Sequence, residues 1–178
     1  TLSSYYRQAL ENDQYMLSLH TELYHVASYL ELEQARFEEK LVVELDVEDD
    51  LNCKVPSFIL QPLVENAVRH GGDRTGARHV SISAHSVEGM AEIAVADRGQ
   101  GIPREVVLGL YTGQGKGVGL SNVHKRLKSI YGEDNGLKIE TSEAGSRVWF
   151  RIPLEPEEIP GPIHETKQEE SYNEDSCD

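Results

Sequence analysis

Cysteine is almost absent from this chain of 178 residues, which holds only Cys53 and Cys177. So far apart, the two form neither a disulfide framework nor a zinc-ligand spacing, and a reducing compartment is the default expectation. No run of about 18 apolar residues occurs, so no segment reads as a bilayer-spanning helix, and no signal peptide is evident. Positive charge is also scarce: 17 Lys and Arg against 31 Asp and Glu leave a net charge of −14. That balance excludes a general nucleic-acid binder, which needs a basic face for phosphates. It does not bar one anionic ligand held locally. The acidity is uneven, since residues 154–178 hold nine acidic residues against one lysine. The chain opens on Thr1 and reads as a fragment or a processed form of something longer.

What is present is periodic. Residues 5–40 read as one long helix, with Leu19, Leu23, Val26 and Leu30 forming an apolar seam that Met16 and Phe37 extend. Simple packing on the domain and a dimer contact are equally good uses for such a seam. Leu41 to Val47 alternates as a strand. Pro56 is expected to open a second helix, with Ile59, Leu63, Ala67 and His70 on its inner face and Gly71-Gly72 as its stop. Pro62 falls inside this pattern and should kink or delay it. His79–Val87 and Met90–Asp97 make a hairpin around Glu88-Gly89. A glycine-rich loop with one short helix, Arg104–Leu110, fills 98–116. Gly117 to Tyr131 is helical, and Leu137–Thr141 with Arg147–Ile152 closes the pattern. Helices alternating with antiparallel hairpins indicate a two-layer α/β sandwich. From Glu155 onward, Pro, Glu and Ser dominate, a composition too polar to offset the entropy of ordering. The expected division is therefore a leading helix over 1–40, one domain over 41–154 and an acidic flexible tail over 155–178.

Three clusters break local structural rules. Glu65, Asn66 and Arg69 lie within about one turn of the second helix. A carboxamide oxygen there suits Mg²⁺, a hard ion that takes oxygen donors, and an arginine suits phosphate oxygens. Any one of these residues alone is as easily a solvated helix face. Asp97-Arg98-Gly99-Gln100-Gly101 ends an apolar strand with a carboxylate able to accept from an exocyclic amine such as that of adenine. Its glycines permit close backbone approach. Gly113-Gln114-Gly115-Lys116-Gly117-Val118-Gly119 runs into a helix N-terminus, where backbone N–H groups and the positive dipole end favour an anion. Two rival phosphate motifs fail on spacing: a P-loop ending at Gly115-Lys116 meets Leu110 where it needs glycine. A dinucleotide fingerprint from Gly113 meets Val118. The seven histidines are scattered, with no metal-ligand spacing among them.

In order and spacing, these clusters resemble the ATP-binding domain of the GHKL superfamily, which includes gyrase B, Hsp90, MutL and histidine kinases. Asn66 falls in what looks like the N box. Asp97-x-Gly99-x-Gly101 and Gly115-x-Gly117-x-Gly119-Leu120 look like the two glycine boxes. The run from Val55 to Gly71, together with Gly117–Val123, Arg126-Leu127 and Tyr131-Gly132, is similar to sensor kinases of the LytS/YehU type. Glu22-Leu23, Tyr29-Leu30 and Arg36-Phe37 resemble that type's leading helix.

The resemblance implies the Bergerat fold, a mixed sheet of about five strands covered by three helices. It implies Asn66 as ligand of the Mg²⁺ on ATP, and Asp97 as receiver of the adenine amine. Gly99, Gly101 and Ile102 would shape the adenine pocket. Arg69 would contact phosphate, and His70 would lie beside the nucleotide. Residues 102–116 would form a short ATP lid, with Gly115, Lys116, Gly117, Val118, Gly119 and Leu120 near the phosphates. Glu65 and Arg69 are the catalytic candidates; for Glu65 the roles of base, water ligand and structural hydrogen-bonder all stand open. Pro62 occupies the place where many histidine kinases carry a further Asn. Gly145-Ser146 replaces the commoner Gly-Thr.

The function implied is ATP-dependent phosphorylation of a histidine outside this fragment, for relay to the receiver domain of a response regulator. The whole protein would be a homodimeric, membrane-anchored bacterial kinase with this domain in the cytoplasm. The fragment alone, lacking the phosphoacceptor segment, should not autophosphorylate. A non-catalytic ATP-binding regulatory module and an anti-sigma-factor-type serine kinase are the alternatives.

Overall fold

A computed structural model describes residues 15–113 and 118–155. Its centre is a five-stranded mixed sheet in the order β2-β4-β5-β7-β6. The strands are β2 (Leu41–Val47), β4 (Arg78–Val87), β5 (Met90–Asp97), β6 (Lys138–Ser142) and β7 (Gly145–Pro153). β2 runs parallel to β4, and every other neighbouring pair is antiparallel. The Glu88-Gly89 turn has φ of 53° and 78°, the double left-handed geometry that matches strand twist in a tight hairpin. Successive residues alternate between faces. Val80, Ile82, Ile93, Val95, Val148 and Phe150 are thus all buried toward the helices. Each such aliphatic or aromatic side chain contributes roughly 1.5–3 kcal/mol on burial.

The leading helix is shorter than its periodicity predicts. α1 spans Leu19–Phe37, with Ser18 as N-cap, its Oγ accepting from the Thr21 N–H at 3.1 Å. Met16 lies before this cap, in β1 (Met16–Ser18), which pairs antiparallel with β3 (Lys54–Pro56). The capping serine and this small second sheet set the boundary, and neither is visible in a seam of apolar residues. The part of the expected helix before residue 15, like the tail from 156, lies outside the described residues.

The second correction concerns proline. α2 begins at Gln61, not at Pro56, which ends β3. Pro62 sits in the first turn, where a missing N–H costs nothing; it does not kink the helix, which starts only beside it. Ile59 is buried in the turn before α2, and His70, expected on the inner face, is exposed. α2 (Gln61–His70) stops at Gly71, whose N–H donates to Ala67 O. α3 (Arg104–Thr112) ends at Gly113 with φ of 73°, and α4 (Val118–Tyr131) follows. No helix among the described residues is long and apolar enough to cross a membrane.

α1 is bound to the rest through a buried acid. Glu22 is fully buried, and its two carboxylate oxygens accept from Phe58 N and Leu60 N, each at 3.0 Å. Burial raises its pKa, against the opposing pull of the Leu60 and Phe58 N–H groups.

Candidate nucleotide site

Asp97 is the last residue of β5 and stands opposite Ser146 of β7. Its Oδ1 accepts from Gly99 N at 2.8 Å, and its Oδ2 accepts from the Ser146 hydroxyl. Both oxygens are therefore oriented by protein donors. The turn that follows is threaded between the end of α2 and the β6–β7 hairpin, and the threading requires glycine. A Cβ on Gly71 would lie 2.3 Å from Ala67 O and 2.7 Å from Asp97 Cβ. On Gly99 it would lie 2.6 Å from Gly71 Cα, and on Gly101, with φ of 76°, 2.2 Å from Ser142 O. Thr141 Oγ1 completes the clamp by accepting from Ile102 N at 2.7 Å.

Asp97 thus touches the foot of the helix that carries Glu65, Asn66 and Arg69. Asn66 is half-buried, Arg69 and His70 are exposed, and Glu65 accepts from Gln61 Nε2 at 2.9 Å. The head of α2 meets the start of α4: a Cβ on Gly119 would lie 3.8 Å from Pro62 Cβ. Asn66 stands four residues from Pro62 and five from Gly71, so one helix of about 1.5 Å rise per residue spans the distance between the two glycine clusters. Leu120, in the first turn of α4, is buried. Gly115, Lys116 and Gly117 lie outside the described residues, as does the side chain of Val118. The two flanks of that segment are tied by Tyr111 of α3, whose ring meets His124 of α4 edge-on at 5.6 Å.

Among the described residues, two shallow clefts reach Asp97. One of about 330 Å³ is lined by Thr141, Ser142, Gly145, Ser146 and Arg147; the other, about 110 Å³, by Glu44, His79, Ser81 and Arg98. Neither includes a residue of α2. Among the described residues no group of three or more His, Cys, Asp or Glu could hold a metal ion. The Asn66 carboxamide oxygen fits Mg²⁺ of the kind that takes one or two protein ligands beside substrate phosphates.

Ser146, Thr141 and Gly71 belong to this geometry and were not among the residues singled out from sequence as site residues. The Gly145-Ser146 pair was the one available signal for Ser146. The other two are set by contacts between segments remote in sequence.

Solved structures of histidine kinases share this architecture. The catalytic domain of histidine kinase ThkA aligns with a TM-score of 0.63 at 21% identity, covering 80% of this chain and 100% of that one. The histidine kinase domain of a blue-light activated kinase from Erythrobacter litoralis EL346 aligns at 0.60 and 18%, covering 78% of this chain and 66% of that one. The chain belongs to the histidine kinase-, DNA gyrase B- and HSP90-like ATPase family, whose model matches residues 56–156. A second model, described as histidine kinase, matches residues 1–41. The sensor histidine kinase YpdA of Escherichia coli is 40% identical over 156 residues, and the sensor protein LytS of Bacillus cereus 39% identical over 161. In each case 85% of this chain is covered but only 27% of the relative's length.

Proposed function

We propose that this chain is the ATP-binding catalytic part of a sensor histidine kinase, passing the γ-phosphate of ATP to a histidine outside the segment described. The contact of Asp97 with Gly71 carries the reading, because it sets a carboxylate with both oxygens oriented against the helix bearing Asn66 and Arg69. Asp97 would accept a hydrogen bond from the adenine amine, with Ser146 and Gly99 holding it in place. Asn66 would hold Mg²⁺, and the ion would supply charge neutralisation on the phosphate oxygens. Arg69, exposed one turn further on, would pair with phosphate. Phosphoryl transfer demands mainly positioning and charge neutralisation, and this set of residues offers both. The names of YpdA and LytS support the sensor-kinase assignment. A solved complex of ThkA with the response regulator TrrA supports relay to a receiver domain. Homodimerisation, and attachment of the whole protein to a membrane with this domain in the cytoplasm, complete the proposal.

Calorimetry with Mg-ATP on wild type and Asp97→Asn tests the nucleotide assignment. Wild type should bind, and the mutant should lose at least tenfold in affinity. Equal affinity would remove Asp97 from the purine site. Transfer of phosphate in trans to a supplied histidine-bearing segment of a longer chain tests the kinase step.

A further inference from the structure

We propose that Glu22 is a positioning residue through which α1 sets the nucleotide-binding helix, by clamping the amide groups of Phe58 and Leu60 that lead into α2. The inference rests on the nucleotide-site reading above. Leu60 is the N-cap of α2 and carries no side chain able to cap it. The first N–H groups of a helix need an acceptor, and the positive end of its dipole favours an anion. Glu22, 38 positions upstream, supplies both from another helix: one oxygen takes Leu60 N, the other Phe58 N. The clamp holds a strained conformation, because Phe58 has φ of 57°, a region that is uncommon for a bulky side chain. His25, three residues after Glu22, stacks on the Phe58 ring at 5.8 Å between centroids and 13° between planes.

The same turn is held from a third side. Arg126 Nη1 of α4 donates to Ser57 O, so the start of α2 and the body of α4 share one anchor. A helix transmits a displacement of its first turn along its length, and Asn66 lies six residues beyond Leu60. Gly119 lies seven residues before Arg126 on α4. A shift or rotation of α1 at Glu22 therefore reaches the Asn66 side and the Gly119 side together. The linkage runs through three hydrogen bonds, from Phe58 N and Leu60 N to Glu22 and from Arg126 to Ser57 O.

A buried acid could also be a stabilising cap with no bearing on the site, and two variants separate these cases. Glu22→Gln keeps the shape but offers one acceptor where two N–H groups point. Val26→Ala trims a buried side chain on the same helix that carries no acceptor for the Phe58 and Leu60 amides. For both, Mg-ATP affinity is measured by calorimetry, unfolding midpoint by thermal melt, and amide hydrogen exchange at Phe58 and Leu60. Glu22→Gln should weaken Mg-ATP at least fivefold and speed exchange at both amides. Val26→Ala should lower the midpoint with affinity within twofold of wild type. Unchanged affinity in Glu22→Gln, or equal weakening in Val26→Ala, overturns the clamp. If Glu22→Gln does not fold, His25→Ala decides: a two- to threefold loss of affinity upholds the clamp, and unchanged affinity overturns it. Wild type that binds no Mg-ATP instead sinks the nucleotide-site reading.

Discussion

The Ser146 hydroxyl donates to Asp97 Oδ2 across a directly opposed pair of residues on β7 and β5. Ser146 is buried, so its removal leaves a carboxylate oxygen without its protein donor. A hydrogen bond to a charged group contributes about 1.5–3 kcal/mol. Ser146→Ala should accordingly cost that much in urea unfolding and weaken Mg-ATP, while Ser146→Thr, which keeps the hydroxyl, should retain most of both. Equal behaviour of the two variants would show that the hydroxyl is idle.

Adjacent glycines should respond in opposite ways. A Cβ at Gly71 meets Ala67 O at 2.3 Å and Asp97 Cβ at 2.7 Å, whereas at Gly72 it meets only the Arg78 guanidinium, at 3.6 Å or more. Overpacking of this kind costs about 1–3 kcal/mol. Gly71→Ala should lose stability on that scale and nucleotide affinity by more than tenfold. Gly72→Ala should stay within about 0.5 kcal/mol of wild type, as surface changes usually do. Chemical denaturation with nucleotide titration reads both.

The helix-free face of the sheet supplies a pH dependence. Burial pushes the Glu92 carboxyl up, but hydrogen bonds from Arg151 and Arg147 together outweigh it and hold the group below its ordinary value of 4.5. Both pairs are short, at 2.8 and 2.7 Å. A lowered folded-state pKa contributes stability that is present above the unfolded value and lost as pH falls through the folded one. The melting temperature of wild type should therefore fall more steeply than that of Glu92→Gln below pH 4.5. Parallel acid limbs would contradict the coupling.

Cys53 should be inert while the chain is folded. It is buried, and desolvation, aided by Glu155, pushes its thiol up to about 11. The thiolate is the reactive form. In a Cys177→Ser background, iodoacetamide at pH 8 should leave the native protein unlabelled and label it fully in denaturant. Rapid native labelling would show that the small β1–β3 sheet opens readily.

The sheet was largely legible in the sequence, because alternation at a period of two is written locally in runs such as Ile93–Val95 and Val148–Ile152. The hairpin at Glu88-Gly89 was legible for the same reason. The starts of α1 and α2 were not. Met16 and Pro56 carry helix-compatible signals, yet they pair with each other across 40 positions of sequence, and pairing of that range leaves no local trace. At the candidate site, Asn66, Asp97 and the glycines stand out by residue type. Ser146, Thr141 and Glu22 do not, since a serine, a threonine or a glutamate gains meaning only from the distant group it reaches.

The parallel pairing of β2 with β4 has one last consequence, for how the chain folds. Leu41 faces Arg78, 37 positions on, and the segment crossing between these strands contains α2. Parallel neighbours cannot be joined by a tight turn, and contacts so distant along the chain form slowly. The helix bearing Asn66 is thus itself the crossover, and it gains its seat only as that ladder zips. A partly unfolded chain would hold the local β4–β5 hairpin before it seats the helix bearing Asn66.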